Sequence, residues 1–368
     1  MRILLLIQKA QLRGAEMFAS QLGNHLQRAG HTVFVVSLVP GTATLPFEGE
    51  VYCLNGSLTK RFVDVAGWRK LAAYIKEVKP DVVQANASDT LKFAVLSKLL
   101  TGWKAPLVYR NANKASDFIN SYPKLVFNRF LARRATHIIS VSEICRQDFM
   151  KLYGIPERKT TMIPIGIERV DIPSAPPANL MHIFNGEARV LVNIASLVPE
   201  KNHEGLLRIA QVLRKQGENV RVVVLGDGKL RPRLEECIRQ MDLAGHVLLL
   251  GYRSDVPAIL AHADAFVMPS LIEGLPGTIL EAFYNRVPVI AYNVGGIGEV
   301  VQTGHTGWLI GKNDEAGFIA AVKQALRDAR HTAAIREEAY QRVTRDFMNE
   351  HIAERFVQVY TAVCQRIS

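Results

Sequence analysis

The chain has 368 residues, of which 48% are hydrophobic and 21% are charged, the composition of a soluble globular protein large enough for two hydrophobic cores. No apolar run approaches the roughly 20 residues that span a bilayer. The four cysteines lie far apart without a Cys-x-x-Cys pair, which argues against a zinc site or a redox motif and indicates a reducing compartment.

The net charge of +11 belongs to the N-terminal half. Residues 1–168 contain 23 Lys and Arg against 12 Asp and Glu, a difference of +11, whereas residues 169–368 contain 22 of each, a difference of zero. Such asymmetry predicts an anionic partner for the N-terminal half, namely a membrane surface, a phosphorylated lipid or nucleic acid. A charge that serves only solubility is the alternative.

Short apolar runs alternate with helix-length amphipathic segments through the first half. Strands are predicted at residues 2–7, 32–38, 81–86, 106–110, 137–142 and 160–165, and helices at residues 14–29, 65–78, 90–100 and 122–135. The strand runs are almost continuously apolar, which is typical of strands buried on both faces. The alternation therefore predicts a parallel sheet with helices on both sides.

Three prolines within five residues, Pro173, Pro176 and Pro177, mark a linker before a second alternation. Its strands are predicted at residues 189–195, 220–225, 247–250, 265–269 and 287–292, and its helices at residues 204–216, 229–241, 277–284 and 315–330. We predict an α/β fold of two Rossmann-like, doubly wound domains facing each other across a cleft. The N-terminal domain covers residues 1–170 and is completed by a closing helix at residues 349–368, and the C-terminal domain covers residues 185–348. Ligands are expected at the carboxyl ends of the strands.

The most informative motif is the run at residues 269–282, PSLIEGLPGTILEA. Glu273 lies in the loop after a predicted strand, and Glu281 lies inside the next helix. Carboxylates accept paired hydrogen bonds from vicinal hydroxyls, such as those of a ribose or a hexose. Gly274 and Gly277 allow close backbone approach and open a helix whose first amides can meet a phosphate.

With its neighbours, this motif resembles a known family. The matching runs are ADAFVMPSLIEGLPGTILEAF at residues 263–283, PVIA at 288–291, GGIGEVV at 295–301, GHTG at 304–307, ASLVPEKNH at 195–203, LGDG at 225–228, RGAE at 13–16 and GHTV at 30–33. Together they are similar to the signature of the group 1 (family 4) retaining glycosyltransferases, across essentially the whole chain. The resemblance implies the two-domain architecture called GT-B and a nucleotide-sugar donor.

The resemblance also implies roles for single residues. Lys201 and Glu273 become the predicted catalytic residues: Lys201 neutralises the donor diphosphate and Glu273 contacts the transferring sugar. Glu281 holds the ribose hydroxyls.

Further donor contacts are implied by the backbone and by one strand end. The amides of Gly274 and Leu275 support the diphosphate, and Gly14 lets the N-terminal backbone approach it. Tyr252 and Arg253 follow a strand end where the family contacts the nucleobase, although an exposed loop pair is an equal interpretation.

Two departures from the family pattern affect the predicted site. Ser196 stands where the family often has a second phosphate-binding arginine, so either Lys201 acts alone or another basic residue such as Arg253 assists. Where many members carry a histidine near the reacting centre, this chain has Arg110, Asn111 and Asn113. These three are candidate acceptor- or phosphate-facing groups, or else a loop whose polar groups are satisfied internally.

No Asp-x-Asp motif is present to hold a divalent metal on the diphosphate, so we expect no metal and no cofactor, the nucleotide-sugar being a substrate. Positive side chains and helix N-termini then stabilise the leaving group. The resemblance implies retention through front-face attack, with the departing phosphate accepting the acceptor's proton. His203 is interpreted as a residue at the start of a helix rather than a catalyst.

Basic and aromatic residues cluster at residues 60–62, 68–70, 103–104 and 124–134. The last cluster has the spacing of an interfacial helix, although a core-facing helix with a solvated side is the alternative. Because Gln8 and Lys9 end the first apolar run too early for a signal peptide, we expect a cytoplasmic protein. With the charge asymmetry, we expect peripheral attachment to the anionic inner face of the cell membrane, and no nucleic-acid partner.

The predicted activity is that of a hexosyltransferase-type enzyme (EC 2.4 class) of bacterial envelope polysaccharide biosynthesis. It moves a hexose or N-acetylhexosamine from a nucleotide-sugar, taken to be a UDP-sugar, to a lipid-linked or envelope-glycan acceptor. A nucleotide-sugar epimerase of the same fold is one alternative, and a non-catalytic membrane- or nucleic-acid-binding protein with a vestigial sugar site is another. A dinucleotide-dependent dehydrogenase is excluded because neither half shows Gly-x-Gly-x-x-Gly after its first strand.

Overall fold

The computed structural model describes residues 1–57 and 63–366, and the predicted basic cluster at residues 60–62 lies outside them. The chain divides into two compact units. Unit 1 consists of Met1–Glu168 and Asn349–Ser368, and unit 2 consists of Arg169–Met348.

Unit 1 contains, within its described residues, a seven-stranded parallel sheet with helices on both faces. Its strands are β1 (Arg2–Lys9), β2 (Thr32–Val39), β3 (Val51–Cys53), β4 (Val82–Ala85), β5 (Leu107–Asn111), β6 (His137–Ser140) and β7 (Thr160–Met162), in the order β3-β2-β1-β4-β5-β6-β7. Its helices are α1 (Gly14–Arg28), α2 (Val65–Val78), α3 (Ser88–Thr101), α4 (Tyr122–Arg134), α5 (Glu143–Tyr153) and the C-terminal helix Asn349–Gln365.

Two hydrophobic layers cover the faces of this sheet. Because successive side chains of a strand point to opposite faces, Tyr109 of β5 packs in the layer with α2, α3 and α5, whereas Val108 packs in the layer with α1 and the C-terminal helix. Arg110, two residues after Val108, therefore faces α1. Its position close to the end of β5 places it at the carboxyl edge of the sheet.

Unit 2 repeats the architecture with six parallel strands in its described part. They are β8 (Arg189–Ile194), β9 (Val220–Leu225), β10 (Val247–Gly251), β11 (Ala265–Met268), β12 (Val289–Tyr292) and β13 (Trp308–Ile310), in the order β10-β9-β8-β11-β12-β13. The helices are α6 (Met181–Phe184), α7 (His203–Lys215), α8 (Arg231–Gln240), α9 (Val256–Leu260), α10 (Gly277–Tyr284), α11 (Glu315–Arg327) and α12 (Ala329–Asp346), so the C-terminal helix is α13. The prediction of two doubly wound α/β domains is confirmed.

The structure corrects the predicted elements at several places. The predicted helix at residues 315–330 is two helices, because the side chain of Asp328 accepts a hydrogen bond from the His331 amide (3.0 Å) and starts α12. Helix α5 and the short edge strands β3 and β13 were not predicted. None of the helices in residues 1–57 and 63–366 is both long and apolar enough to cross a membrane.

Candidate active site

The two predicted catalytic residues form an ion pair. Glu273 lies in the loop between β11 and α10 with 6% of its side chain exposed, and Lys201 ends a 3-10 turn, Pro199–Lys201, after β8. The Lys201 Nζ donates to Glu273 Oε1 at 2.6 Å. Since β8 and β11 are neighbouring parallel strands, their carboxyl ends bring the two loops to one edge of the sheet.

Backbone contacts hold these two loops together. The Leu271 amide donates to the Glu200 carbonyl (2.8 Å), and the Asn202 side-chain amide donates to the Pro269 carbonyl (3.0 Å). Asn202 also accepts from the amide of Gly205 (3.3 Å) and so caps α7. The ion pair between Lys201 and Glu273 is thus positioned by the main chain on both sides.

A third loop, after β12, supports the carbonyl side of Glu273. Gly295 has φ +53°, and a Cβ there would lie 1.9 Å from the Glu273 carbonyl oxygen, so only glycine fits. The next residue, Gly296, donates its amide to the Gly274 carbonyl (2.6 Å). These two glycines therefore act as structural residues of the loop that carries Glu273.

Glu281 differs from Glu273 in having no side-chain partner among the described residues. Its side chain is half-buried in α10, and burial raises the pKa of its carboxyl to about 7. Within the described part of the chain, the carboxylate forms no hydrogen bond and no ion pair. It is therefore an acceptor group that remains available to the hydroxyls of a ligand.

The backbone before α10 also has unused donors. Gly274 and Leu275 are buried, yet neither amide donates to another residue of the described ranges. The N-cap position, Pro276, supplies no side-chain cap, and within the described ranges the amides of Gly277 and Thr278, the first two residues of α10, are open as well. Buried unpaired amides at a helix N-terminus form a site for an anion.

Two residues near Lys201, His203 and Ser270, have buried polar atoms without a hydrogen-bond partner in the described part of the chain, which the sequence did not predict. His203 is buried with both ring nitrogens unbonded among the described residues, and Ser270 Oγ is likewise unbonded. Burial, followed by the nearby charge of Lys201, lowers the pKa of His203 to about 4, so its ring is neutral at physiological pH. The position of Ser270, two residues after the end of β11, was the available sequence signal.

Arg253 is engaged elsewhere in unit 2. Its Nε donates to Asp255 Oδ1 at 2.8 Å and its Nη2 to the other carboxylate oxygen, while Tyr252 is 56% exposed. In the described ranges no contact joins Arg253 to Lys201 or Glu273. Its predicted assistance to Lys201 remains a prediction.

The candidates of unit 1 fall into different environments. Gly14 is the first residue of α1, where an added Cβ would meet nothing within 4 Å. Asn111 uses its amide inside the fold, donating to Ser140 Oγ and the Cys145 carbonyl at 3.4 Å each. Asn113 is exposed beyond β5, and the Arg110 side chain is buried against the ring of Phe18.

The described residues contain no group of three or more His, Cys, Asp or Glu side chains arranged to hold a metal ion. The positive groups near Glu273 are the Lys201 ammonium and the open amides before α10.

Comparison with known proteins identifies the family. A family model described as glycosyl transferases group 1 matches residues 181–342, and one described as glycosyltransferase family 4 matches residues 12–169. The chain is 29% identical over 289 residues to the UDP-Gal:alpha-D-GlcNAc-diphosphoundecaprenol alpha-1,3-galactosyltransferase of Escherichia coli, covering 75% of this chain and 73% of that protein. It is 31% identical over 259 residues to the putative glycosyltransferase EpsF of Bacillus subtilis, covering 66% and 67% respectively.

Solved structures share the fold over nearly the full length. The HepE protein of Anabaena, crystallised in complex with UDP-glucose, matches with a TM-score of 0.84 and 21% identity, covering 98% of this chain and 99% of that one. Both sequence halves and the fold therefore agree with the resemblance seen in the motifs, and the chain is a glycosyltransferase that belongs to the group 1, family 4 glycosyltransferases.

Proposed function

We propose that this enzyme transfers a hexose or N-acetylhexosamine from a UDP-sugar to a lipid-linked or other envelope-glycan acceptor, with retention of configuration and without a metal ion. The observation that carries this proposal is one group of contacts in unit 2, formed by the loop after β8 and the loop and helix after β11. It combines the ion pair of Lys201 and Glu273, the unpaired amides of Gly274 and Leu275, and the unpartnered carboxylate of Glu281.

Each group suits one part of a nucleotide-sugar. Lys201 and the open amides before α10 supply positive potential for the diphosphate, where negative charge develops as the sugar departs. Glu273 accepts hydrogen bonds from hydroxyls of the transferring sugar, and Glu281 accepts from the ribose. In this arrangement the leaving phosphate takes the acceptor's proton, so no protein nucleophile is needed.

The names of similar proteins support the choice of donor and acceptor. The E. coli relative is named for UDP-Gal and for a diphosphoundecaprenol acceptor, and the Anabaena structure contains UDP-glucose. A UDP-sugar and a lipid-linked acceptor are therefore the donor and acceptor that we propose.

The donor site is tested by ligand-induced thermal stabilisation. We expect UDP to raise the melting temperature of the wild-type enzyme more than GDP or ADP, and Glu281→Gln to reduce that rise. With a pKa of about 7, the carboxylate of Glu281 is mostly charged at pH 8 and mostly protonated at pH 6. Because the charged form is the better acceptor, uridine, which does not titrate in this range, should bind about tenfold more weakly at pH 6 than at pH 8.

Two controls make this test specific. Glu281→Gln should remove the pH dependence of uridine binding, whereas Glu218→Gln, which alters an ion-paired glutamate elsewhere in unit 2, should leave it intact. Absence of stabilisation by all three nucleotides would contradict the proposed donor site.

Helix α4 of unit 1 has a surface suited to a membrane that carries a lipid-linked acceptor. Its basic residues are Lys124, Arg129, Arg133 and Arg134, and it has no acidic residue. Tyr122, Val126 and Phe130 follow at helical spacing and are 77%, 45% and 38% exposed. An exposed apolar stripe on a cationic helix suits the interface of an anionic bilayer, and we propose that unit 1 attaches there peripherally, on the inner face of the cell membrane.

Vesicle flotation tests this attachment. The wild-type protein should float with vesicles rich in phosphatidylglycerol and not with phosphatidylcholine alone. Each basic residue near an anionic surface contributes about 1 kcal/mol, so Lys124→Gln/Arg134→Gln should weaken partitioning about thirtyfold. Arg239→Gln/Arg345→Gln removes two charges that are each 72% exposed in unit 2 and should leave partitioning unchanged. Binding that is indifferent to lipid charge would refute the attachment.

A further inference from the structure

Arg110 is a buried cation without a counter-ion. It is 3% exposed, and throughout residues 1–57 and 63–366 its guanidinium forms no hydrogen bond and no ion pair. A buried guanidinium normally has a carboxylate or several carbonyl oxygens as partners, because its five N–H donors are costly to leave unsatisfied.

Among the residues that the structure describes, the groups around Arg110 offer no compensating charge. Its Cζ lies 3.8 Å from the centre of the Phe18 ring. Tyr109 and Tyr360 are the titratable groups close enough to affect it, and burial raises the pKa of both, so they are neutral at pH 7. The Tyr360 hydroxyl is already committed, since it donates to Gln84 Oε1 at 2.6 Å.

The guanidinium is nevertheless reachable. Arg129 and Arg336 each have an Nε atom that is fully buried and has no hydrogen-bond partner among the described residues. None of the Arg110 nitrogens is fully buried in this way. Because the Arg110 nitrogens are also unbonded, they must retain contact with solvent. The guanidinium is thus packed against the Phe18 ring, while its nitrogens keep a small contact with solvent near the carboxyl end of β5.

Such an arrangement is that of a preformed oxyanion receptor. A guanidinium fixed on an aromatic face presents a planar fork that matches the two oxygens of a phosphate or a carboxylate. The donor diphosphate already has its positive groups in unit 2, namely Lys201 and the amides of Gly274 and Leu275. Arg110 is therefore left for an oxyanion that belongs to another molecule.

We propose that Arg110 binds an oxyanion on the acceptor, so that the enzyme selects acceptors that carry a phosphate or a carboxylate. This proposal rests on the proposed transferase function and assigns the acceptor's chemical class. It also explains why the guanidinium of Arg110 has no hydrogen-bond or ion-pair partner among the described residues. A lipid diphosphate and a uronic acid are the two sources of such a group.

The test measures anion binding and stability in Arg110→Met and Arg110→Lys, at constant ionic strength and with saturating UDP to occupy the donor site. Inorganic phosphate at millimolar concentration should raise the melting temperature of the wild type, and both variants should lose this rise. Arg110→Met should melt at or above the wild-type temperature without phosphate, because it replaces an unpaired buried charge with an apolar side chain. Glucuronate in place of phosphate distinguishes a carboxylate-bearing acceptor from a phosphorylated one.

Arg2→Met is the matched control. The Arg2 guanidinium also lies over an aromatic ring, that of Phe34 at 5.3 Å, but at the amino end of β1. This variant should keep the full phosphate response. If Arg110→Met also keeps it, or melts several degrees lower, the arginine is a structural residue and the proposal is overturned. If Arg110→Met loses its stabilisation by UDP, Arg110 binds the donor, and the proposal is also overturned. If UDP does not stabilise the wild-type enzyme, the result contradicts the proposed function instead.

Discussion

Lys201→Ala is expected to lower kcat/KM for sugar transfer by about 10²- to 10³-fold, the loss seen when one positive group facing a developing oxyanion is removed. Lys201 is also the ion-pair partner of Glu273, whose side chain is 6% exposed. Leaving that carboxylate without its partner should reduce the free energy of unfolding by about 1–3 kcal/mol. Steady-state transfer assays and chemical denaturation measure the two effects separately.

Lys323→Ala is the control for the loss of an ion pair as such. The Lys323 side chain is 26% exposed, compared with 24% for Lys201, and its Nζ lies 3.6 Å from Glu218 in the same unit. It should leave turnover unchanged. A Lys201→Ala enzyme that retains turnover within threefold of the wild type would remove Lys201 from the proposed mechanism.

Glu273→Gln is expected to lower kcat by about 10²-fold while changing KM little, because the interaction that it weakens strengthens as the sugar departs. The glutamine keeps the shape of the side chain and can still accept from Lys201, so the melting temperature should stay close to that of the wild type. The prediction is checked by measuring kcat and the donor KM separately, at a saturating concentration of acceptor.

Glu281→Gln is the variant with which the kinetic effects of Glu273→Gln are compared. Glu281 has no partner among the residues that the structure describes and is proposed to hold the ribose, so its replacement should raise the donor KM more than it lowers kcat. If both glutamine variants changed only KM, Glu273 would be a binding residue with no part in the chemical step.

Much of the architecture follows from periodicity in the sequence. Buried parallel strands are short and continuously apolar, so β1, β2, β8 and β9 are visible as runs of Val, Ile and Leu. In a doubly wound sheet the first and fourth strands are neighbours, which places the loop of Lys201 beside the loop of Glu273. The meeting of those loops was therefore accessible from strand order.

Other features depend on tertiary contacts that no local pattern records. Strands β3 and β13 have three residues each, too few for a recognisable period. The break between α11 and α12 depends on one side chain, that of Asp328. The ion pair of Lys201 with Glu273, the raised pKa of Glu281 and the missing partner of Arg110 all arise from which side chains surround each group, and composition and spacing leave that open.

The contacts that position Lys201 against Glu273 come from Asn202, Leu271 and Gly295, and all of them lie within unit 2. Substitutions in unit 1 therefore remove none of these contacts. Over evolutionary time such a division lets the sequence of unit 1 change while unit 2 keeps the geometry of Lys201 and Glu273. The ion pair is thus insulated from sequence drift in the other half of the chain.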